Sequence, residues 1–241
     1  MRIALLSDIH SNLEALEAVL AECGRQGAEA IYCLGDIVGY GASPNECVQR
    51  IRERAAVCLA GNHDHAAVNL LDAGGFNEDA RRAVSWTARA LTPESAAYLR
   101  ALPMTHRSRD VLYVHAAPSE PEAWDYILRL EDARYEFEQA PARLCFFGHT
   151  HRQVAFVQRD GHVGIVDAVE FGAADGARYL VNVGSVGQPR DGDPRAAFTL
   201  YLEENETVRF IRVEYDIQKA AQRIAEAGLP DLLAYRLLLG R

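Results

Sequence analysis

The hydrophobic positions of this chain gather into short continuous runs, each closed by a turn rich in Gly, Asp, Asn or His. Ile3-Ala4-Leu5-Leu6, Ala30-Ile31-Tyr32-Cys33-Leu34, Ala55-Ala56-Val57-Cys58-Leu59 and Leu144-Cys145-Phe146-Phe147 are apolar without alternation. Such runs read as strands buried on both faces. Between the first two, Leu13, Leu16, Val19 and Leu20 recur at helical spacing. They follow Ser11-Asn12-Leu13-Glu14, a capping-box pattern that makes Ser11 the expected cap. After the second run, Ser43-Pro44-Asn45-Glu46 repeats Ser-x-x-Glu, with Pro at the first helical position and Cys47, Val48 and Ile51 on the apolar face. Strand-helix-strand-helix-strand order predicts parallel strands joined by right-handed crossovers.

The pattern changes at residue 65. Ala80 to Leu91 and Pro93 to Leu102 read as helices broken at Thr92-Pro93, and no strand pattern interrupts 65–103. This segment is either a helical cap beside a site or plain helices covering a sheet. From Thr105 strands return. Val111 to His115 is apolar and ends on a histidine, and Glu122 to Gln139 reads as a helix. Val154 to Val157 and Val163 to Val166 flank Asp160-Gly161, a strong hairpin signal. Further strands are expected at Tyr179 to Val183, Ala197 to Leu202 and Val208 to Tyr215, then helices at Gln218 to Ala227 and Pro230 to Leu239. The prediction is one α/β (α+β) domain over 1–241, with two sheets packed face to face and helices outside.

Composition adds limits. The chain has 241 residues, 49% hydrophobic and 24% charged, an ordinary balance for a globular protein with a sizeable core. Its formal net charge of −9 argues against a long nucleic acid as partner. A small phosphate compound remains compatible if bound cations invert the local field. Cys23, Cys33, Cys47, Cys58 and Cys145 make an odd count with no Cys-x-x-Cys pair. That usage fits a reducing cytoplasm better than a disulfide framework. The chain enters a strand almost at once, which leaves no room for a signal peptide, and no apolar run approaches the ~20 residues of a membrane helix. The expectation is a cytoplasmic protein with no membrane partner, for which a homo-oligomer is open.

The candidate chemistry sits where the apolar runs end. Asp8-Ile9-His10, Gly35-Asp36, Gly61-Asn62-His63-Asp64 and Gly148-His149-Thr150-His151 each follow one run, and His115 follows another. In open α/β sheets ligands bind beyond the carboxyl ends of the strands. Two-residue spacing lets Asp8 and His10 reach one ion. Asp36 has two oxygens and could bridge two. Asn62 offers a carbonyl oxygen, and His115, His149 and His151 offer imidazole nitrogens. Mixed N/O ligation suits Mn²⁺, Fe²⁺, Zn²⁺ or Co²⁺ and lacks the thiolates of a structural zinc site. Taken singly, Asn62 reads first as a turn or cap residue, Asp64 as a cap for the following helical segment that can also orient His63, and His115 as a metal ligand or a satisfied core histidine. His65, His106 and His162 have no motif around them.

Taken in order, these motifs resemble those of the calcineurin-like metallophosphoesterase superfamily, from Met1 to the Gln188-Pro189-Arg190 loop. The resemblance implies a four-layer sandwich: two mixed β-sheets, flanking helices and a two-metal site at the strand ends. It implies that Asp8, His10 and His151 hold one metal, that Asn62, His115 and His149 hold the other, and that Asp36 bridges. It leaves His63 unligated as the group facing the leaving oxygen, with Asp64 orienting its ring. The implied cofactors are two divalent ions, Mn first, with Fe, Zn, Co or Ni as alternatives. The implied reaction is hydrolysis of a small phosphodiester by metal-bound hydroxide. Gly35-Asp36-Ile37-Val38-Gly39-Tyr40-Gly41 and Ala60-Gly61-Asn62-His63-Asp64 lack the two arginines of the superfamily's phosphoprotein phosphatases. This departure ranks a phosphoprotein phosphatase or a dinucleoside polyphosphate hydrolase second, behind the small bacterial and archaeal phosphodiesterase branch. A non-catalytic metal-binding scaffold ranks last, because no ligand is missing. For substrate contacts the candidates are Tyr40, Ser185 in the Gly-rich Asn182 to Gln188 loop, and Arg190.

Overall fold

The computed structural model describes residues 1–173 and 176–241. In chain order the strands are β1 (Arg2–Leu6), β2 (Ala30–Cys33), β3 (Val57–Cys58), β4 (Thr105–Ser108), β5 (Val111–Val114), β6 (Leu144–Phe147), β7 (Gln153–Arg159), β8 (His162–Ile165), β9 (Glu170–Gly172), β10 (Arg178–Val183), β11 (Ala196–Leu202) and β12 (Thr207–Val213). The helices are α1 (Leu13–Arg25), α2 (Pro44–Arg54), α3 (Asn62–Ala67), α4 (Glu78–Ala90), α5 (Pro93–Arg100), α6 (Leu130–Gln139), α7 (Ile217–Glu226) and α8 (Asp231–Leu239).

Two six-stranded sheets result, ordered β3-β2-β1-β11-β12-β9 and β4-β5-β6-β10-β7-β8. β1, β2 and β3 run parallel, as do β5, β6 and β10, while β11, β12, β7 and β8 add antiparallel pairs. Both sheets are therefore mixed, and the carboxyl ends of five ligand-bearing strands gather at one rim.

The continuous apolar runs have a simple reason. On β1, Ile3 and Leu5 face the other sheet, whereas Ala4 and Leu6 lie under α1 and α2 among Leu16, Val19, Val48 and Ile51. Both faces are dry, so both must be apolar. Between the sheets an aromatic file crosses from one to the other: Tyr32 to Tyr113 (5.2 Å), Tyr113 to Phe146 (5.7 Å) and Phe146 to Tyr201 (5.0 Å). Each fully buried side chain of this size stabilises by roughly 1.5–3 kcal/mol through removal from water. On the outer face of the second sheet, Leu112, Cys145 and Phe147 meet Ala133 and Phe137 of α6. The four layers are thus helix, sheet, sheet, helix.

Several expectations need correction. α1 is capped by Asn12, whose side chain accepts from Ala15 N (3.1 Å), and not by Ser11. Ser11 sits at φ 55°, where the chain is still turning around the site. The helix expected from Glu122 begins only at Leu130. Before it come a single 3-10 turn, Pro121–Ala123, and Trp124 at φ 60°, which breaks the helical path. β9 was not foreseen, because three residues carry no usable period. The hairpin at Asp160-Gly161 forms with both residues at positive φ, 50° and 79°, which is the tight turn that Asp-Gly favours. No helix among the described residues is long and apolar enough to cross a membrane.

Candidate metal centre

The loops after β1, β2, β3, β5 and β6 carry the site. They are laced together by backbone bonds: Asp8 N to Gly35 O (3.0 Å), His10 N to Asp36 O (3.0 Å) and Gly148 N to His115 O (2.9 Å). The path is tight. Asp8, His10, Asp36, His149 and His151 all have φ between 49° and 67°. Each non-glycine residue held there costs on the order of 1–3 kcal/mol, which persists only where the surroundings over-determine it. Gly61 is needed for a different reason: a Cβ there would overlap the Asp36 carboxylate and backbone N.

The side chains converge in three overlapping groups, one of which joins His63 to His10 and Asp36. Asp8, His10 and His151 have donor atoms within 4.8 Å of one another, and so do Asp36, His115 and His149. Asn62 lines the same cavity as His149. Asp36 lies between the two groups, with Oδ2 at 3.5 Å from His10 Nε2 and 3.5 Å from His115 Nε2. Its other oxygen accepts from His63 N (2.8 Å). Asp8 divides its oxygens in the same way: Oδ2 accepts from His149 N (2.9 Å), while Oδ1 has no hydrogen bond.

The imidazoles are aimed by backbone carbonyls. Nδ1 of His10, His115 and His151 lies 3.0, 2.9 and 2.6 Å from the carbonyl oxygens of Val38, Leu34 and Gln188. With the proton on Nδ1, each ring presents the Nε2 lone pair to the centre. His149 is turned over: Nε2 faces Trp124 O (2.9 Å), which leaves Nδ1 for the centre. Such outer bonds fix tautomer and orientation at metal sites. Asp8 Oδ1, Asn62 Oδ1 and His115 Nε2 are buried without any hydrogen-bond partner among the described residues. Buried polar atoms are rarely left so. Acceptors that converge without donors fit divalent cations.

The electrostatics agree. Burial alone would raise both carboxylates, but the neighbouring imidazoles overcome it. His151 and His115 hold Asp8 below the ordinary value, and His115 and His63 hold Asp36 well below it. Burial lowers His10, His63 (to about 4) and His149 (to about 3). His115 is the exception: burial would lower it, yet Asp36 and Asp8 raise it to about 9.

Three expected contacts take another form. Asp64 does not orient His63. Its two oxygens accept from Val38 N and Gly61 N (both 3.1 Å), and His63 Nδ1 has no partner. Asp64 is the third residue of α3 and reaches back to the turn, so its carboxylate is spent on backbone. Burial, with Asp36 adding, raises Asp64 to about 7. Ser185 does not face the cavity. It is fully buried, donates to Asp8 O (2.8 Å) and accepts from Gln188 N (2.8 Å). Most N–H groups of the Gly-rich loop around it are already taken within the protein. Gly184, Val186 and Gly187 donate to Asn182, Ser7 and Asp8, so the loop braces the first ligand turn.

A cavity of about 500 Å³ opens beside the ligands, lined by Tyr40, Asn62, His63 and His149. Residues 71–80 form one wall, so the helical segment between Val68 and Leu91 does border the site. Phe76 (4.8 Å from the His63 ring) and Tyr126 (stacked on His149 at 4.1 Å) complete it together with Trp124. None of these three was singled out from the sequence. Their signal, aromatics in polar irregular segments, is weak. Tyr40 packs on His10 (4.6 Å) and His63 (4.4 Å), and Arg190 lies over its ring at 5.6 Å.

A two-sheet sandwich that gathers paired Asp and His clusters at one rim is the architecture of a metallophosphoesterase. Residues 1–205 match the calcineurin-like phosphoesterase superfamily domain, and the chain belongs to that superfamily. It is 38% identical over 244 residues to an uncharacterized protein of Methanocaldococcus jannaschii, covering 99% of this chain and 98% of that one. A metallophosphoesterase from Sphaerobacter thermophilus superposes with a TM-score of 0.87 at 40% identity, covering 100% of this chain and 99% of the other. A hypothetical protein from Pyrococcus horikoshii OT3 shares the fold, with a TM-score of 0.80 at 21% identity over 100% of this chain and 98% of its own.

Proposed function

We propose that this protein is a phosphodiesterase for a small substrate, working with two divalent ions, Mn²⁺ first among them. In this reading Asp8, His10 and His151 hold one ion, Asn62, His115 and His149 hold the other, and Asp36 bridges. Bound ions would supply Lewis-acid charge and lower the pKa of a water. His63 is the group that handles the leaving oxygen. It is buried against Tyr40 and Phe76, and its Nδ1 is committed to nothing. A phosphodiester anion beside it raises its affinity for a proton.

The observation that carries the diester preference is the cavity wall. Among the described residues no Arg or Lys lines it, whereas Phe76, Trp124 and Tyr126 do. A terminal phosphate dianion has little to grip there, and an organic leaving group has apolar faces to lie on. The test is turnover of bis-p-nitrophenyl phosphate against p-nitrophenyl phosphate after chelation and reloading with Mn²⁺. The diester is expected to have the higher kcat/KM. A tenfold preference for the monoester, about 1.4 kcal/mol in transition-state terms, overturns the assignment.

A further inference from the structure

Eight of the 24 arginines of this acidic chain pair with carboxylates among the described residues. Arg50 pairs with Glu17, Arg143 with Glu206, Arg209 with Glu170 and Arg223 with Glu14. Three arginines beside the metal centre are set apart by their grouping. Arg152, Arg190 and Arg236 have no Asp or Glu side chain within ion-pair distance among the described residues, and together with Arg241 they line one cavity of about 620 Å³. The one acidic side chain among the described residues on that wall, Asp191, is already paired with Arg212. Like charges gathered in this way repel, and a structure keeps them together at a cost. Burial and the charge of Arg190 both lower Arg236.

The guanidinium groups are held in place rather than free. Arg152 Nε donates to Arg190 O (3.1 Å), and Arg236 Nε donates to Arg241 O (2.7 Å). Arg190 donates from Nη2 (2.8 Å) and Nε (3.3 Å) to Gln188 Oε1. Both Nη atoms of Arg152 and of Arg236 are left without a partner among the described residues. The cluster is also tied to the catalytic rim. Arg152 follows His151 in sequence, Arg190 N donates to His151 O (3.0 Å), and Arg190 stands over Tyr40, whose other neighbours are His10 and His63. Planar forks with uncommitted N–H groups match phosphate oxygens.

We infer that Arg152, Arg190 and Arg236 form a second anion subsite, which takes a phosphate monoester carried by the substrate away from its scissile diester. This rests on the phosphodiesterase reading and narrows it. Tyr40 lines the aromatic cavity and Arg190 lines the basic one, so the two lie side by side. A substrate spanning them places its organic leaving group on the aromatic wall and its second phosphate on the arginines.

The test uses the Mn²⁺-loaded full chain and two esters that share one scissile bond and one leaving group. These are thymidine 5′-(p-nitrophenyl phosphate) and its 3′-phosphorylated counterpart. The second phosphate should raise kcat/KM by about tenfold at low salt, mostly through KM, and the gain should shrink with salt. In Arg152→Gln and Arg236→Gln the gain should fall to about twofold. Equal kcat/KM for the two esters in the wild type, or an undiminished gain in both variants, overturns the subsite. If neither ester is cleaved, the phosphodiesterase reading fails, and the subsite is then judged by calorimetry. Thymidine 3′,5′-bisphosphate should bind more tightly than thymidine 5′-monophosphate, with the difference reduced in Arg236→Gln, and equal affinities overturn it. Inorganic phosphate that binds as tightly as the bisphosphate, with the same loss in Arg236→Gln, assigns the pocket to free phosphate and overturns the substrate assignment.

Discussion

His10 Nε2 and His151 Nε2 face each other at 3.1 Å, although each ring has its Nδ1 against a backbone carbonyl. Two neutral rings of that tautomer point lone pairs at one another. The contact is repulsive unless a cation lies beside both. With Asp8 Oδ1 at 3.3 Å from His151 Nε2, it brings three candidate ligand atoms together more sharply than the motif alone implies.

Asp36 stands between both ligand groups, so its loss should affect both ions. Asp36→Asn is expected to lower bound metal from about two ions per chain and to reduce kcat/KM by ~10²-fold or more. Elemental analysis beside steady-state kinetics checks this. A variant with full metal content and near-wild-type turnover would contradict the bridging role.

Gly61→Ala tests the turn without touching a ligand. The added methyl meets Asp36, so the Asp36 loop must shift. Overpacking of this kind costs about 1–3 kcal/mol. The expected result is a lower Tm together with weaker metal retention. An unchanged Tm and metal content would show that the two loops are not in this contact.

His63 and Asp64 should separate in their effects. His63→Ala is expected to keep its metals and to lose ~10²–10⁴-fold on esters with poor leaving groups, but much less on p-nitrophenyl esters. Asp64→Ala should instead lower stability by about 0.5–2 kcal/mol, because Gly61 N and Val38 N lose their acceptor. Its leaving-group dependence should match wild type. A leaving-group effect in Asp64→Ala as large as that in His63→Ala would restore the orienting role.

The chelated protein should be most stable near neutral pH. His63 (about 4) and His149 (about 3) are depressed from 6.5 by burial. Their stability is fully present above 6.5 and is lost as pH falls through those values. His115, raised to about 9, contributes in the opposite sense: its stability is present below 6.5 and lost as pH rises through 9. Calorimetric Tm should fall on both sides, and His115→Asn should flatten the alkaline arm. A Tm independent of pH between 4 and 9.5 would refute this balance.

The apolar runs and the Asp, His and Asn motifs that close them were legible in the chain alone. Burial on both faces demands continuous apolar strands, and metal chemistry restricts residue type, so both leave local traces. The Asp160-Gly161 turn was legible for the same reason, since its backbone geometry belongs to two adjacent residues. The partners of Asp64 and Ser185, the aromatic wall of Phe76, Trp124 and Tyr126, and the meeting of Arg190 with Tyr40 were not. Tyr40 and Arg190 lie far apart along the chain, and nothing in their flanking residues records the other. Their contact exists because β1 pairs with both β2 and β11, which brings the loops after β2 and before β11 to the same rim. Local sequence sets which groups a strand end offers. The order of strands in the sheets decides which of those groups meet, and that order is a property of packing between distant segments.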